Sequence, residues 1–142
     1  MTHRIGVIGS GSWGTALAVH LSGTGHEVRL WARDAALVSE MVASRVNRAY
    51  LPGIPLPPSL TPTANLGAAL DGAQFVVLAV PSHGVRGVAR ALRDHLPPVC
   101  PVVSATKGLE EGSMLRMSEV LRAELPALLL VAVVVRAIED RF

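Results

Sequence analysis

The sequence has 142 residues, of which 50% are hydrophobic, 17% are charged and 4% are aromatic, and this length suits a single domain with its own core. The single cysteine, Cys100, excludes an internal disulfide framework and a zinc site made of four cysteines. The 13 basic and 11 acidic residues nearly balance and form no long run of like charge, which argues against nucleic-acid binding.

Short apolar segments alternate with segments of helical periodicity along the chain, a pattern typical of a parallel sheet covered by helices. The predicted strands are 5–8, 28–32, 60–63, 75–80, 101–106 and 128–135. The predicted helices are 13–24, 35–47, 65–70, 82–95 and 113–125. Right-handed crossovers between these strands predict an α/β fold with a doubly wound, mainly parallel Rossmann sheet in the strand order 3-2-1-4-5-6.

Local signals refine these elements. The four prolines of residues 51–58 predict an irregular loop, and loops of this length are often functional. Asn65 and Ser82 are predicted to cap the helices that follow them. Three arginines share one face of the helix over 82–95, and we expect that face to be solvated. These arginines are Arg86, Arg90 and Arg93.

The glycine-rich loop Gly9-Ser-Gly11-Ser-Trp-Gly14 carries the strongest chemical signal. It follows the first predicted strand directly and opens a helix, which is the context that a dinucleotide-binding loop requires. There Gly9 would allow the tight turn, Gly11 the approach of a pyrophosphate, and Gly14 close packing of helix on strand. The free N–H groups of the helix would then bind the phosphates. A structural turn is the alternative interpretation.

The end of the second strand bears on which dinucleotide is bound. A carboxylate usually stands there to bind the ribose 2′-OH of NAD, but this sequence places Ala32 and then Arg33 there. A small residue followed by a guanidinium suits a 2′-phosphate, so NADP is favoured over NAD. Two alternatives remain open at this point: Asp34 could take the carboxylate role if the strand is longer, and Arg33 could be an ordinary surface residue.

Lys107 is the only lysine of the sequence and directly follows the fifth strand. Ligands of open α/β sheets bind beyond the carboxyl ends of the strands, where an ammonium could hold a phosphate or polarise a carbonyl. A solvated lysine at a turn is the alternative. His83 follows the fourth strand, where a proton-transfer role competes with a simple place in the first helical turn. The five histidines have no ligand spacing, so no metal site is predicted.

Five motifs in the same order carry a family resemblance. The motifs are Gly9-Ser-Gly-Ser-Trp-Gly-Thr-Ala-Leu-Ala, Leu30-Trp-Ala-Arg-Asp, Asn47-Arg-Ala-Tyr-Leu-Pro-Gly, Ala79-Val-Pro-Ser-His and Val103-Ser-Ala-Thr-Lys-Gly-Leu-Glu. Through them the sequence resembles the N-terminal half of the bacterial type of NAD(P)-dependent glycerol-3-phosphate dehydrogenase over about residues 4–126.

The resemblance implies an activity and a set of site residues. The family reversibly reduces dihydroxyacetone phosphate with NAD(P)H to sn-glycerol 3-phosphate, the precursor of the glycerophospholipid backbone. By resemblance, cofactor contacts come from the glycine loop with Ser12 and Trp13, from Arg33 and from Tyr50. Lys107 resembles the family lysine that touches both cofactor and substrate, and it is the expected catalytic residue.

The resemblance ends near Pro126. In the family, a Gly-Pro-Ser turn and a helical second domain with the proton-transferring lysine follow, and residues 127–142 contain neither. We therefore expect residues 1–142 to form one dinucleotide-binding domain with a divergent or truncated end over 127–142. Such a chain would bind cofactor and turn over substrate poorly. The alternatives are a non-catalytic dinucleotide-binding module and a related Rossmann dehydrogenase of another hydroxy acid.

The apolar segment 128–135 predicts two further properties. As an edge strand without charged residues it would pair with another chain, so we expect self-association or a homo-oligomer through it. The apolar run 127–135 is too short to span a bilayer, which needs about 20 helical residues. We therefore expect a soluble, reduced, cytoplasmic protein.

Overall fold

A central parallel sheet organises the chain, as seen in a computed structural model that describes residues 1–125 and 130–132. The strands are β1 (Arg4–Ile8), β2 (Glu27–Trp31), β3 (Val46–Asn47), β4 (Leu51–Pro55), β5 (Leu60–Thr63), β6 (Phe75–Leu78), β7 (Val102–Ser104) and β8 (Leu130–Ala132). Within the described residues, six of them pair in the order β5-β2-β1-β6-β7-β8, and all five pairings are parallel. Because the six predicted strands correspond in chain order to β1, β2, β5, β6, β7 and β8, the predicted order 3-2-1-4-5-6 is confirmed.

Helices cover both faces of this sheet. Successive strand residues point to opposite faces, so Val7 lies in one apolar cluster and Ile8 in the other. The helices are α1 (Ser12–Gly23), α2 (Ala35–Ser44), α3 (Leu66–Leu70), α4 (Val85–Leu92) and α5 (Met117–Glu124). Ala18 of α1 and Met41 of α2 belong to the cluster of Val7, whereas α3, α4 and α5 contribute to the cluster of Ile8.

The prediction of an irregular loop over 51–58 is wrong, because Leu51–Pro55 forms β4 and pairs antiparallel with β3. Proline lacks the N–H that a central strand needs, but a two-stranded ribbon uses only one edge of each strand. The hydrogen bond beyond Pro55 is made instead by the N–H of Leu56, which donates to the carbonyl oxygen of Arg45 at 2.7 Å.

Three helix boundaries differ from the prediction. Helix α2 ends at Ser44 because Arg45 is left-handed, with φ 54°, and its guanidinium binds carbonyl oxygens that include those of Pro57 and Leu60, at 2.6 and 2.7 Å. Ser82 opens a 3-10 turn before α4 and makes no side-chain capping bond. Helix α5 begins only at Met117, because Met114 has φ 58° in a preceding turn.

Other local predictions hold. Asn65 caps α3 through its Oδ1, which accepts the N–H of Ala68 at 3.0 Å. The described part of the predicted strand 128–135 is β8, which pairs with β7 at the edge of the described sheet; the rest of that strand lies outside the described residues. Among the helices of the described residues, none combines the length and apolar character needed to cross a membrane.

Candidate functional site

Three chain segments meet where β1, β6 and β7 end at their carboxyl edge. They enclose an open cleft of about 350 Å³, lined by residues 9–13, 79–82 and 105–107. Each segment leaves a different parallel strand, and such strand ends are the usual ligand-binding edge of an α/β sheet. The glycine loop and Lys107, predicted independently from the sequence, therefore lie in one cleft.

The three glycines of the loop answer different requirements. Gly9 has φ +119°, and a Cβ there would lie 2.6 Å from the carbonyl oxygen of Ala79, so the backbone geometry and the neighbouring strand require glycine. A Cβ on Gly14 would overlap the carbonyl oxygen of Gly9. Gly11 is different, because its backbone is extended and a Cβ there would meet no protein atom within 4 Å.

This difference tests whether the loop fits a dinucleotide. The fold has no steric need for glycine at position 11, whereas a ligand approaching the backbone there would have one. Gly11 is also the N-cap of α1, no side chain caps this helix end, and the first turn carries no acidic residue. The N-terminal N–H groups and their partial positive charge suit an anion such as a pyrophosphate.

Asn47 fixes the loop from below and was missed in the sequence, where residue 47 is the predicted end of a helix. Its fully buried side chain donates from Nδ2 to the carbonyl oxygen of Ser10 and to Oγ1 of Thr15, both at 2.9 Å. Its Oδ1 accepts the N–H of Tyr50 at 3.2 Å. The sequence signal for a role of Asn47 is its place as the first residue of one of the five motifs. The structure adds that its amide is buried and therefore needs several hydrogen-bond partners.

The predicted cofactor contacts Ser12, Trp13 and Tyr50 lie around the mouth of the loop. The Oγ of Ser12 donates to the carbonyl oxygen of Tyr50 at 2.7 Å, which joins the loop to the β3–β4 ribbon. The indole N–H of Trp13 donates across the cleft to the carbonyl oxygen of Ala105 at 3.2 Å. Both aromatic side chains remain about half exposed, at 49% each, and so present ring surface to a ligand.

Lys107 stands exposed on the opposite side of the cleft. The preceding residue, Thr106, donates from Oγ1 to the carbonyl oxygen of Val80 at 2.7 Å, which ties the end of β7 to the segment after β6. The following residue, Gly108, has φ +107°, a conformation that favours glycine. Lys107 thus stands between a hydrogen-bonded threonine and a glycine of positive φ.

The strand end that bears on cofactor choice lies next to the glycine loop. Trp31, the last residue of β2, accepts the N–H of Gly9 at 3.1 Å, and exposed Arg33 follows two residues later, outside the lining of the cleft. Asp34 caps α2, its Oδ1 accepting the N–H groups of Ala36 and Leu37 at 2.9 and 3.4 Å. This capping engages the one carboxylate that was an alternative partner for a ribose hydroxyl.

His83 lies exposed in the 3-10 turn and does not line the cleft. Within residues 1–125 and 130–132, no group of three or more His, Cys, Asp or Glu side chains is arranged to hold a metal ion. Of the residues singled out in the sequence, the cleft brings together those of the glycine loop and Lys107.

The arginine stripe that was predicted to be solvated is partly so, because the side chains of Arg90 and Arg93 are 62% and 50% exposed, but all three arginines also bind glutamates. Arg86 pairs with Glu110 through two 2.7 Å bonds and with Glu124 through a third. Arg90 and Arg93 also bind Glu124, whose side chain is 7% exposed. The bonds from Arg86 lower the pKa of Glu110 to about 2, and those from Arg90 and Arg86 lower the pKa of Glu124.

Comparison with known proteins identifies the family. Residues 4–136 match the family described as the NAD-dependent glycerol-3-phosphate dehydrogenase N-terminus. A glycerol-3-phosphate dehydrogenase [NAD(P)+] of Desulfitobacterium hafniense (strain Y51) is 50% identical over 123 residues, which are 87% of this chain and 35% of that protein. Its counterpart in Desulfotalea psychrophila (strain LSv54 / DSM 12343) is 46% identical over 127 residues, which are 89% of this chain and 38% of the relative.

A solved structure gives the same result. The glycerol-3-phosphate dehydrogenase of Coxiella burnetii superposes with a TM-score of 0.82 and 39% identity, over 87% of this chain and 38% of the other. The chain thus spans little more than a third of the length of these relatives. With its glycine loop, strand order and matched residues 4–136, the chain belongs to the NAD-dependent glycerol-3-phosphate dehydrogenase family and corresponds to its N-terminal part.

Proposed function

We propose that this chain binds NAD(P)H in the cleft and forms the dinucleotide-binding part of a glycerol-3-phosphate dehydrogenase. The reaction is the reversible transfer of a hydride between NAD(P)H and dihydroxyacetone phosphate, giving sn-glycerol 3-phosphate. The names of the relatives support this substrate. The observation that carries the proposal is Gly11, whose missing side chain leaves open space above an uncapped helix N-terminus in a cleft that also contains Lys107.

Each part of the cleft has a task in this proposal. The N-terminal N–H groups of α1 bind the pyrophosphate, and Ser12, Trp13 and Tyr50 orient the dinucleotide at the mouth of the loop. The nicotinamide group, when bound, supplies or accepts the hydride. The Nζ of Lys107 contacts the dinucleotide and also binds the substrate, by its phosphate or by its carbonyl oxygen, where an ammonium stabilises the negative charge that develops during reduction.

We propose NADP as the favoured dinucleotide. Ala32 is buried and brings no carboxylate to the end of β2, and the guanidinium of Arg33 offers forked donors to a 2′-phosphate. The engagement of Asp34 in helix capping supports this choice. Of these residues, only Arg33 would contact the 2′-phosphate, and so a single variant tests the preference.

The proposal extends to the setting of the chain. Residues 1–142 form one dinucleotide-binding domain, and the family match to residue 136 supports counting residues beyond 126 with it. The product, sn-glycerol 3-phosphate, would serve glycerophospholipid synthesis in the cytoplasm. The apolar sequence 128–135 would mediate self-association, and sedimentation that stays monomeric at high concentration would contradict that part.

Titrations with NADPH and NADH test the function. Wild type should bind both, with NADPH bound more tightly, and Lys107→Met should bind either one more weakly. Arg33→Met should weaken NADPH binding by about tenfold, because a charge-assisted hydrogen bond contributes about 1.5–3 kcal/mol, and should leave NADH unaffected. Arg122→Met, the same charge change at an exposed position of α5, is the matched control. Absence of NADPH and NADH binding by wild type would overturn the proposal.

A further inference from the structure

We propose that Glu110, held by Arg86, is a positioning residue for Lys107, an inference that rests on the proposed function of the cleft. Lys107 is exposed, and a long flexible side chain at a turn does not hold one orientation by itself. A residue that fixes the turn therefore determines where the ammonium lies. Glu110 is three residues further along the chain, and hydrogen bonds hold both its side chain and its backbone.

The first step is the ion pair itself. Arg86 binds Glu110 in a bidentate manner, Nε to Oε2 and Nη2 to Oε1, both at 2.7 Å. This fork geometry defines direction as well as distance. Arg86 lies in the first turn of α4, four residues after Ser82 of the cleft lining. The pair thus joins the segment after β6 to the segment after β7.

The second step is the backbone around Glu110. Its N–H donates to the carbonyl oxygen of Leu115 at 2.8 Å, and its own carbonyl oxygen accepts the N–H of Met114 at 2.9 Å. The Oγ of Ser113 donates to Oε1 of Glu110 at 2.6 Å. Residues 110–115 therefore form a closed turn with Glu110 at its base. Only Gly108 and Leu109 separate this fixed base from Lys107.

The third step is the anchoring of Arg86. Its Nη1 also donates to Oε1 of Glu124 at 2.7 Å, and Glu124 is nearly buried between α4 and α5. Arg90, one turn further along α4, and Arg93, just after the end of α4, bind the same carboxylate. Arg86 is therefore held by two carboxylates and cannot swing away from Glu110 without losing charged hydrogen bonds. The low pKa of Glu110 keeps its carboxylate ionised at neutral pH.

A double-mutant cycle on NADPH affinity in the full chain tests the inference. Glu110→Gln should weaken NADPH binding about fivefold and Lys107→Met about tenfold, while the double variant should be no weaker than Lys107→Met, because coupled residues are not additive. A merely structural role for Glu110 would give the same fold loss in both backgrounds. Glu119→Gln is the matched control, since it removes a carboxylate from the ion pair with Arg116 and touches neither Arg86 nor Glu110, and its affinity should stay within about twofold of wild type.

The possible results distinguish a failure of the positioning role of Glu110 from a failure of the proposed function. An unchanged affinity of Glu110→Gln beside a weakened Lys107→Met would overturn the positioning role and leave the proposed function intact. An equal fold loss from Glu110→Gln in both backgrounds would do the same. Absence of NADPH binding by wild type would overturn the proposed function and the inference with it. If Glu110→Gln does not fold, Ser113→Ala replaces it, with a smaller loss that should vanish in the Lys107→Met background.

Discussion

The two walls of the cleft differ in the charge of the groups that hold them. The glycine-loop wall, residues 9–14, is fixed by uncharged groups, above all by the buried amide of Asn47. The lysine wall, residues 105–110, has an uncharged hydrogen bond of its own, from Oγ1 of Thr106 to the carbonyl oxygen of Val80, and adds the ion pair of Glu110 with Arg86. Both walls leave the same edge of the sheet, and among the described residues only the lysine wall is held by an ion pair as well.

The difference follows from what each wall is proposed to do. A pyrophosphate needs the positive field of the α1 N-terminus, and a carboxylate used as an anchor there would weaken that field. Uncharged partners hold the loop and leave the field intact. The lysine wall has to orient an ammonium, and an ion pair with fork geometry gives that orientation. The comparison predicts that acid weakens the lysine wall and spares the glycine-loop wall.

Loss of the buried amide of Asn47 should destabilise the glycine-loop wall and have a larger effect than the other substitutions. Asn47→Ala should lower the free energy of unfolding by about 2–3 kcal/mol, because it removes a fully buried amide together with its hydrogen bonds to Ser10, Thr15 and Tyr50. NADPH binding should be lost with the loop geometry. Urea unfolding and NADPH titration measure the two effects. Asn65→Ala is the matched control, since it removes only the cap of α3, at about 1 kcal/mol, and should leave affinity intact.

The ion pair of Glu110 should make the stability that it contributes depend on pH, unlike the contribution of Asn47. The pKa of Glu110 is about 2 in the folded chain against an ordinary value of 4.5, so its stabilisation is full above pH 4.5 and is lost as the pH falls toward 2. Glu110→Gln should therefore be less stable than wild type at neutral pH, and this deficit should shrink across that window. Urea unfolding at a series of pH values measures it. The deficit of Asn47→Ala should stay constant over the same range, and a parallel shrinkage there would contradict the comparison.

The smallest effect tests the outer part of the glycine-loop wall. Ser12→Ala removes the hydrogen bond to the carbonyl oxygen of Tyr50, which is exposed and should contribute about 0.5–1 kcal/mol. NADPH affinity should fall about twofold, since the β3–β4 ribbon loses its tie to the loop. Thr24→Val removes a comparable exposed bond, to the carbonyl oxygen of Leu21 at the other end of α1, and should leave affinity unchanged. Equal affinities of the two variants would count against the tie.

The sequence predicted what depends on local pattern. The strand order follows from apolar alternation and connection rules, and the glycine loop follows from a motif whose spacing reflects its chemistry. Placing Lys107 in the same cleft required only the rule that ligands bind at the carboxyl ends of strands. These features are encoded within a few neighbouring residues each.

The rest depended on contacts between distant residues. Nothing near Asn47 shows that its amide binds Ser10, which is 37 positions away. The stripe of Arg86, Arg90 and Arg93 has the spacing of a solvated face, and only the packing of α5 brings Glu124 against it. The β3–β4 ribbon was hidden by prolines that a single paired edge tolerates.

Calorimetric titration of NADPH into wild type and Gly11→Ala tests whether the cleft at the glycine loop binds the dinucleotide. Because a Cβ at position 11 meets no protein atom, the variant should keep its stability within about 1 kcal/mol, the size of an N-cap change. It should nevertheless bind NADPH at least about tenfold more weakly, a loss of about 1.4 kcal/mol. Absence of binding by wild type, or equal affinities of the two proteins, would contradict the assignment of this cleft.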